Sequence, residues 1–208
     1  MELLYRDERL LVCVKPAGVL SEDRGADSVP ALLRAEFGGY IGVVHRLDRP
    51  VGGVMVLSRD PKMTGRLTQS FSETGEKIYL AVVSGNPGES GVMEDLLYHD
   101  TRTNKTFVVK RPRAGVRQAR LRFERLRTQP AGEQTLSLVR VTLETGRTHQ
   151  IRTQFASRGM PIVGDRRYGS RVAAAGIALW SAQISFDHPD GGRRMTFRKE
   201  PPADFPLR

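Results

Sequence analysis

The sequence predicts an α+β fold: a mixed, mostly antiparallel sheet with flanking helices. Three observations point there. Apolar runs of strand length recur along the 208 residues. Only a few stretches repeat every three or four residues, as a buried helix face requires. No regular strand–helix–strand rhythm joins them, which argues against a parallel, doubly wound sheet. The length is enough to bury a sizeable core. With no internal repeat, low-complexity tract or linker, one domain over residues 1–208 is expected.

The elements follow in order. Residues 10–14 (LLVCV) are a short apolar run closed by Lys15-Pro16 and Gly18, which reads as a buried strand and a turn. Ser28 precedes a short helix in which Leu32, Leu33 and Phe37 share one face and Gly38-Gly39 stop the chain. Residues 42–47 lead into Asp48-Arg49-Pro50, then a loop with Gly52-Gly53 and a second buried strand at 54–57 (VMVL). Asp60 is an N-cap with Pro61 at the first helical position. Met63, Leu67 and Phe71 repeat every four residues behind it, and Gly75 ends that helix. Strands are expected at 78–83, 116–127 and 135–144; in the second, Leu121 and Phe123 alternate with Arg120 and Arg122. A helix is expected over 148–158, with Ile151 and Phe155 inward and Gly159 as its cap. Residues 173–180 are expected to be partly helical, and 183–187 and 195–198 to be strands.

Composition narrows the function. No stretch reaches the roughly 18 apolar residues of a membrane span, and the acidic N-terminus is not a signal peptide. A single cysteine, Cys13, excludes an internal disulfide and a cysteine-clustered metal site. The four histidines have no metal-ligand spacing, so no metal is expected. A cytoplasmic protein, monomeric by default, is the expectation. The net charge of +10 suggests a polyanionic partner. Residues 100–127 hold ten Lys and Arg, among them Lys105 and Arg111, against two acids, a net +8. Such a stripe suits phosphate contacts through counterion release; a solvated strand face is the bland alternative.

Two clusters carry reactive side chains. In HRLDRPVGG, residues 45–53, the Asp48 carboxylate stands between Arg46 and Arg49, whose charge favours the anion. It can act as a nucleophile or base, or simply hydrogen-bond a turn. In TGRTHQIR, residues 145–152, a glycine turn feeds a helix whose first turns carry Arg147, His149 and Arg152. These can contact anions, pair with a distant carboxylate or face solvent. Tyr79, at the start of a buried strand, is by itself an ordinary core residue. His45 is read as structural.

Together these segments resemble the RluA-type family of pseudouridine synthases. The resemblance rests on His45-Arg46-Leu47-Asp48 with Gly53, on Lys77-Ile78-Tyr79-Leu80-Ala81, on residues 145–152, and on the Pro161-Ile162-Val163-Gly164-Asp165 and Tyr168-Gly169 that follow. The opening and closing strands match as well, so it covers nearly the whole chain. It implies the pseudouridine synthase fold with a central RNA-binding cleft. It implies a uridine isomerase that needs no cofactor, acting on structured RNA, ribosomal RNA favoured and transfer RNA possible. Asp48 matches the catalytic aspartate, by a covalent or a glycal route. Tyr79 matches the tyrosine that lies against the target base and takes the carbon-5 proton. Arg152 matches the partner of the catalytic carboxylate, and Arg46 the arginine that fills the vacated place in the RNA stack. Arg147 and His149 are assigned shaping or RNA contact. The chain departs from the family where Val51-Gly52 replaces the usual Thr-Ser, Val14 replaces Asn, and Gln154 replaces His. It opens directly on the first strand, so no S4-type RNA-binding module is expected. Two other readings compete: a non-catalytic RNA-binding or ribosome-assembly protein on the same scaffold, and a carboxylate-dependent hydrolase acting on nucleic acid. The latter normally needs a metal or a second carboxylate.

Overall fold

The structure, a computed structural model, describes residues 1–132 and 134–207. The chain divides into two compact units, residues 1–77 with 180–201, and residues 78–179 with 202–208.

In the first unit, β1 (Leu3–Arg6) turns back into β2 (Leu10–Lys15), which is buried along its whole length. Then come α1 (Val29–Phe37), β3 (Gly42–Val43), β4 (Gly52–Ser58) and α2 (Pro61–Glu73). The chain returns to this unit late, with β10 (Leu179–Asp187) and β11 (Arg194–Arg198). β4 is central: β2 lies antiparallel to it over residues 10–15, and β10 runs parallel to its first two residues. β10 and β11 form a hairpin.

Both helices start where the sequence places them. Ser28 Oγ accepts the Ala31 N–H (3.3 Å), and the Asp60 carboxylate accepts the Lys62 N–H (2.9 Å). Met63, Leu67 and Phe71 form the buried face of α2. Leu67 and Phe71 join Val54, Val56, Ile184 and Phe186 in the core, each such side chain contributing about 1.5–3 kcal/mol on burial. In α1 the predicted face is corrected. Leu33 is buried but Leu32 is exposed, because adjacent residues lie about 100° apart around a helix and the inward stripe is Val29–Leu33.

The second unit holds β5 (Glu76–Ser84), β6 (Ser90–Asp100), β7 (Lys105–Val109), β8 (Val116–Ala131) and β9 (Gln134–Leu143), in the sheet order β5-β9-β8-β6-β7. β6 and β7 were not foreseen. α3 (Gln150–Ala156) covers this sheet, with Phe155 edge-on to Phe123 at 5.6 Å. It starts two residues later than predicted because His149 is left-handed (φ 54°). Residues 173–180 are not helical. The Ala178 carbonyl and N–H are taken by Val82 (2.9 Å) and Val163 (2.9 Å), which draws the segment out extended into β10. The expected α+β class with a mostly antiparallel sheet holds.

Strand pairing also revises the basic stripe. Outward-facing Arg120 meets Glu94 of β6 (2.5 Å) and Glu144 beyond β9, Arg122 meets Glu144 (2.9 Å), and Arg140 meets Glu124 (3.0 Å). Glu94 and Glu144 lie outside residues 100–127, so a count along the chain could not include them. Arg120, Arg122 and Arg140 therefore stand in a ladder of exposed ion pairs on this face.

Candidate active site

Asp48 lies in the loop between β3 and β4, and that loop is stitched to residues 15–21. Buried Ser21 donates its hydroxyl to the Leu47 carbonyl (2.8 Å) and accepts the Leu47 N–H (3.1 Å). The Gly18 N–H donates to the Arg49 carbonyl (2.8 Å), and Arg49 Nε donates back to the Gly18 carbonyl (2.8 Å). Lys15 is fully buried, and its ammonium donates to the carbonyls of Pro16 (2.9 Å), Val19 (2.7 Å) and Arg49 (3.1 Å). Burial pushes its pKa down to about 8, while the Asp48 carboxylate opposes that shift. In the sequence Lys15 marks only the end of a strand. Nothing local shows that three carbonyls from two loops converge on it.

The other end of the loop explains the glycine at position 52, where the family usually has Ser. A Cβ on Gly52 would stand 2.5 Å from the Trp180 ring, so the indole occupies the space a serine needs. Trp180 is fixed there by its Nε1 bond to the Lys199 carbonyl (2.8 Å). Gly53 has φ +123°, and a Cβ there would stand 2.3 Å from the Ser181 carbonyl oxygen, so no other residue fits.

His45 is structural, as read from the sequence. Its ring stacks on Phe71 (4.6 Å, 7°) and Nε2 accepts the Val56 N–H (3.0 Å). Burial, with the Lys77 charge adding to it, pushes its pKa down to about 3, so the ring is neutral. Arg46 is exposed and ion-paired with Glu22. Arg49 meets Asp27 (3.5 Å).

In the second unit, Tyr79 is buried in β5. Arg152 of α3 is also buried and forms a fork with Asp165, Nε to Oδ2 at 2.7 Å and Nη2 to Oδ1 at 2.9 Å. The fork engages two of the five guanidinium N–H groups. The Tyr168 ring lies 5.0 Å from the guanidinium carbon and 5.5 Å from Lys105 Nζ. The Tyr168 hydroxyl accepts the Thr106 N–H (2.8 Å) and bonds His149 Nδ1 (2.9 Å). His149 is buried, and this bond holds its left-handed turn. The Gln150 side chain closes the glycine turn, accepting the Thr145 hydroxyl (2.8 Å) and the Arg147 N–H (3.0 Å). Gln154, where the family has His, donates to the Met93 carbonyl (3.1 Å) and to Asp95 (2.7 Å).

Of the predicted site residues, Asp48 and Arg46 thus share one braced loop, and Arg152, His149 and Lys105 gather around Tyr168. Arg147 is exposed, its Nε on the Gln118 carbonyl (3.0 Å), and Arg111 is exposed beyond β7. Asp165 and Tyr168 were visible only as motif letters. No group of three or more metal-ligating side chains occurs among the described residues, and no described helix is long and apolar enough to cross a membrane.

Comparison with known proteins bears on the family and the fold. A family profile described as RNA pseudouridylate synthase matches residues 9–157. An "Uncharacterized RNA pseudouridine synthase" of Chloroflexus aurantiacus is 37% identical over 170 residues, covering 80% of this chain and 52% of its own length. A "Ribosomal large subunit pseudouridine synthase D" of Pseudomonas aeruginosa is 30% identical, covering 99% of this chain and 69% of that protein. The chain therefore spans between half and two thirds or so of these relatives. The solved structure of "Human RNA Pseudouridylate Synthase Domain Containing 4" superposes with a TM-score of 0.79 at 21% identity, over 98% of this chain and 90% of that one, and so shares the fold. On the extent of the profile match and on these whole-chain similarities, the chain belongs to the RNA pseudouridylate synthase family.

Proposed function

We propose that this chain is an RNA pseudouridine synthase with Asp48 as its catalytic carboxylate, and that its substrate is a uridine in structured RNA. The class of activity is that of its family. Large-subunit ribosomal RNA is the favoured substrate, because relatives matched over nearly the whole chain are named for that RNA; a transfer RNA enzyme is matched as well. Residues 1–208 act as one catalytic domain, without cofactor or metal. The observation that carries the reading is the bracing of Asp48: a reactive carboxylate on a loop fixed by buried Lys15 and Ser21 meets the demand for preorganisation in catalysis.

The reaction moves one bond and one proton. The ribose carbon leaves ring nitrogen 1 and joins carbon 5; carbon 5 loses a proton and nitrogen 1 gains one. Nothing is oxidised or hydrolysed. The uridine must first leave its stack, at about a few kcal/mol. Arg46 fills the vacated place and offsets that cost. Asp48 attacks the ribose or assists its deprotonation. Arg152, its guanidinium plane fixed by the Asp165 fork, is assigned as the basic partner of the catalytic carboxylate. Tyr79 lies against the detached uracil and takes the carbon-5 proton. Arg147, Lys105 and Arg111 contact RNA phosphate, and His149 shapes the turn that presents Arg147.

The test is Asp48→Asn in single-turnover assays on unmodified large-subunit ribosomal RNA and transfer RNA transcripts, followed by tritium release from carbon-5-labelled uracil. A rate loss of about a thousandfold or more is expected for removal of a catalytic carboxylate. An unchanged rate rules Asp48 out. Binding without any tritium release by the parent protein returns the chain to a binding role.

A further inference from the structure

Both arginines flanking Asp48 are held by acids of one loop. Arg46 pairs with Glu22 and Arg49 with Asp27, all in the first unit. The loop over 21–28 carries three acids, Glu22, Asp23 and Asp27, with Arg24 among them. It is not a loose surface segment. Ser21, next to Glu22, is the buried residue that clasps both backbone groups of Leu47, next to Arg46. At the far end, Ser28 is buried as the cap of α1. Asp23 is tied to Arg34 of α1 by two bonds, 2.6 and 2.8 Å. The backbone under Glu22 is therefore fixed relative to that under Arg46, and pairing them costs little ordering entropy compared with an ordinary surface pair. The bond to Arg46 holds the Glu22 carboxyl below its usual range, with Arg24 (3.3 Å) on its other oxygen.

We infer that Glu22 is a specificity-determining residue: it acts as a built-in competitor for RNA, occupying the Arg46 guanidinium until a target able to insert that side chain displaces it. This rests on the proposed role of Arg46 in RNA binding. The chemistry is direct. A carboxylate and a phosphate use the same donor directions of a guanidinium. While Glu22 holds Arg46, one positive charge beside Asp48 is cancelled for any RNA that meets the surface through its phosphates alone. An RNA that everts a uridine gains the stacking place as well and takes Arg46 over. Glu22 thus weakens encounters with the wrong RNA more than it weakens binding of the right one.

The probe is a 20-nucleotide oligouridylate, its affinity measured by fluorescence anisotropy across a salt series, alongside an unmodified large-subunit ribosomal RNA transcript. Glu22→Gln, with Glu22→Ala to remove the residual hydrogen bond of the amide, should tighten oligouridylate binding about threefold at moderate salt, in the range an exposed ion pair controls. The slope of log affinity against log salt should steepen by about 0.7, one more phosphate neutralised on a single strand. Tightening on the ribosomal transcript should be smaller. Both changes should vanish in an Arg46→Gln background. If the Glu22 variants bind as the parent does, or tighten equally without Arg46, the inference falls while the role of Arg46 stands. If Arg46→Gln alone alters neither binding nor single-turnover rate on the transcript, the role of Arg46 fails and the inference fails with it.

Discussion

Among the described residues, each of the two units buries a cation, Lys15 in the first and Arg152 in the second, and they satisfy it differently. Lys15 is caged by three neutral carbonyls. Arg152 is locked to a carboxylate. The choice of residue follows the partner: an ammonium has three donors free to point at separate oxygens, whereas a planar guanidinium matches the two oxygens of a carboxylate. The energetic consequence differs too. Carbonyl dipoles offset only part of the cost of taking Lys15 out of water, so its proton is held less firmly than in solution. The Asp165 charge meets that of Arg152 directly, in a geometry that needs both partners.

The largest effect should come from splitting the charged pair. Asp165→Asn leaves a buried guanidinium facing an amide and should cost about 3 kcal/mol or more in urea unfolding, along with activity. A midpoint close to that of the parent would show that the fork matters no more than an exposed pair. Next comes the titration of Lys15, isolated as the stability of the parent minus that of Lys15→Met at each pH, so that groups common to both cancel. One such group is Cys13, whose thiol burial pushes up to about 12. Below about pH 8 Lys15 carries its proton in both the folded and the unfolded state, and the difference is flat. Between about 8 and the ordinary lysine value near 10.5, the unfolded chain keeps the proton and the folded chain has lost it. Stability due to Lys15 therefore rises with pH across that window, by at most about 3 kcal/mol. A flat difference up to pH 10.5 would mean the carbonyl cage compensates the charge as fully as a carboxylate does. The smallest effect is that of Tyr168→Phe, which keeps the ring beside Arg152 but removes the partner of Thr106 and His149. A loss of about 1–2 kcal/mol is expected. Ring and hydroxyl separate if Tyr168→Leu costs clearly more.

The sequence made the first unit easier to read than the second. Residues 10–14 and 54–57 are apolar throughout because β2 and β4 are buried along their lengths, and Ser28 and Asp60 announce their helices by capping chemistry. β6 hid because its inward positions are half polar: Asp95 is satisfied by Gln154 and Arg158, and His99 by Thr106. Those partners are distant in sequence or unremarkable in type, so the strand shows no alternation. The Ala173-Ala174-Ala175 run suggested a helix by propensity, but tertiary hydrogen bonds at Ala178 overrode it. At the candidate site, the motif residues were legible and their supports were not. Asp48 and Arg152 stand in motifs with an assigned role, while Lys15 and Ser21, and Asp165 although it stands in a motif, acquire a role only when a second segment closes on them. The acids facing the basic stripe were hidden for the same reason, since strand pairing set Glu94 and Glu144 against arginines far from them in the chain.

Trp180 is the only tryptophan of the chain, and its ring rests on Gly52, four positions beyond Asp48. Nearly all of it is shielded from water. The protein therefore carries an intrinsic fluorophore against the loop that holds Asp48. A shift of that loop on meeting RNA alters the polarity around one indole, and its emission registers the event without any added label.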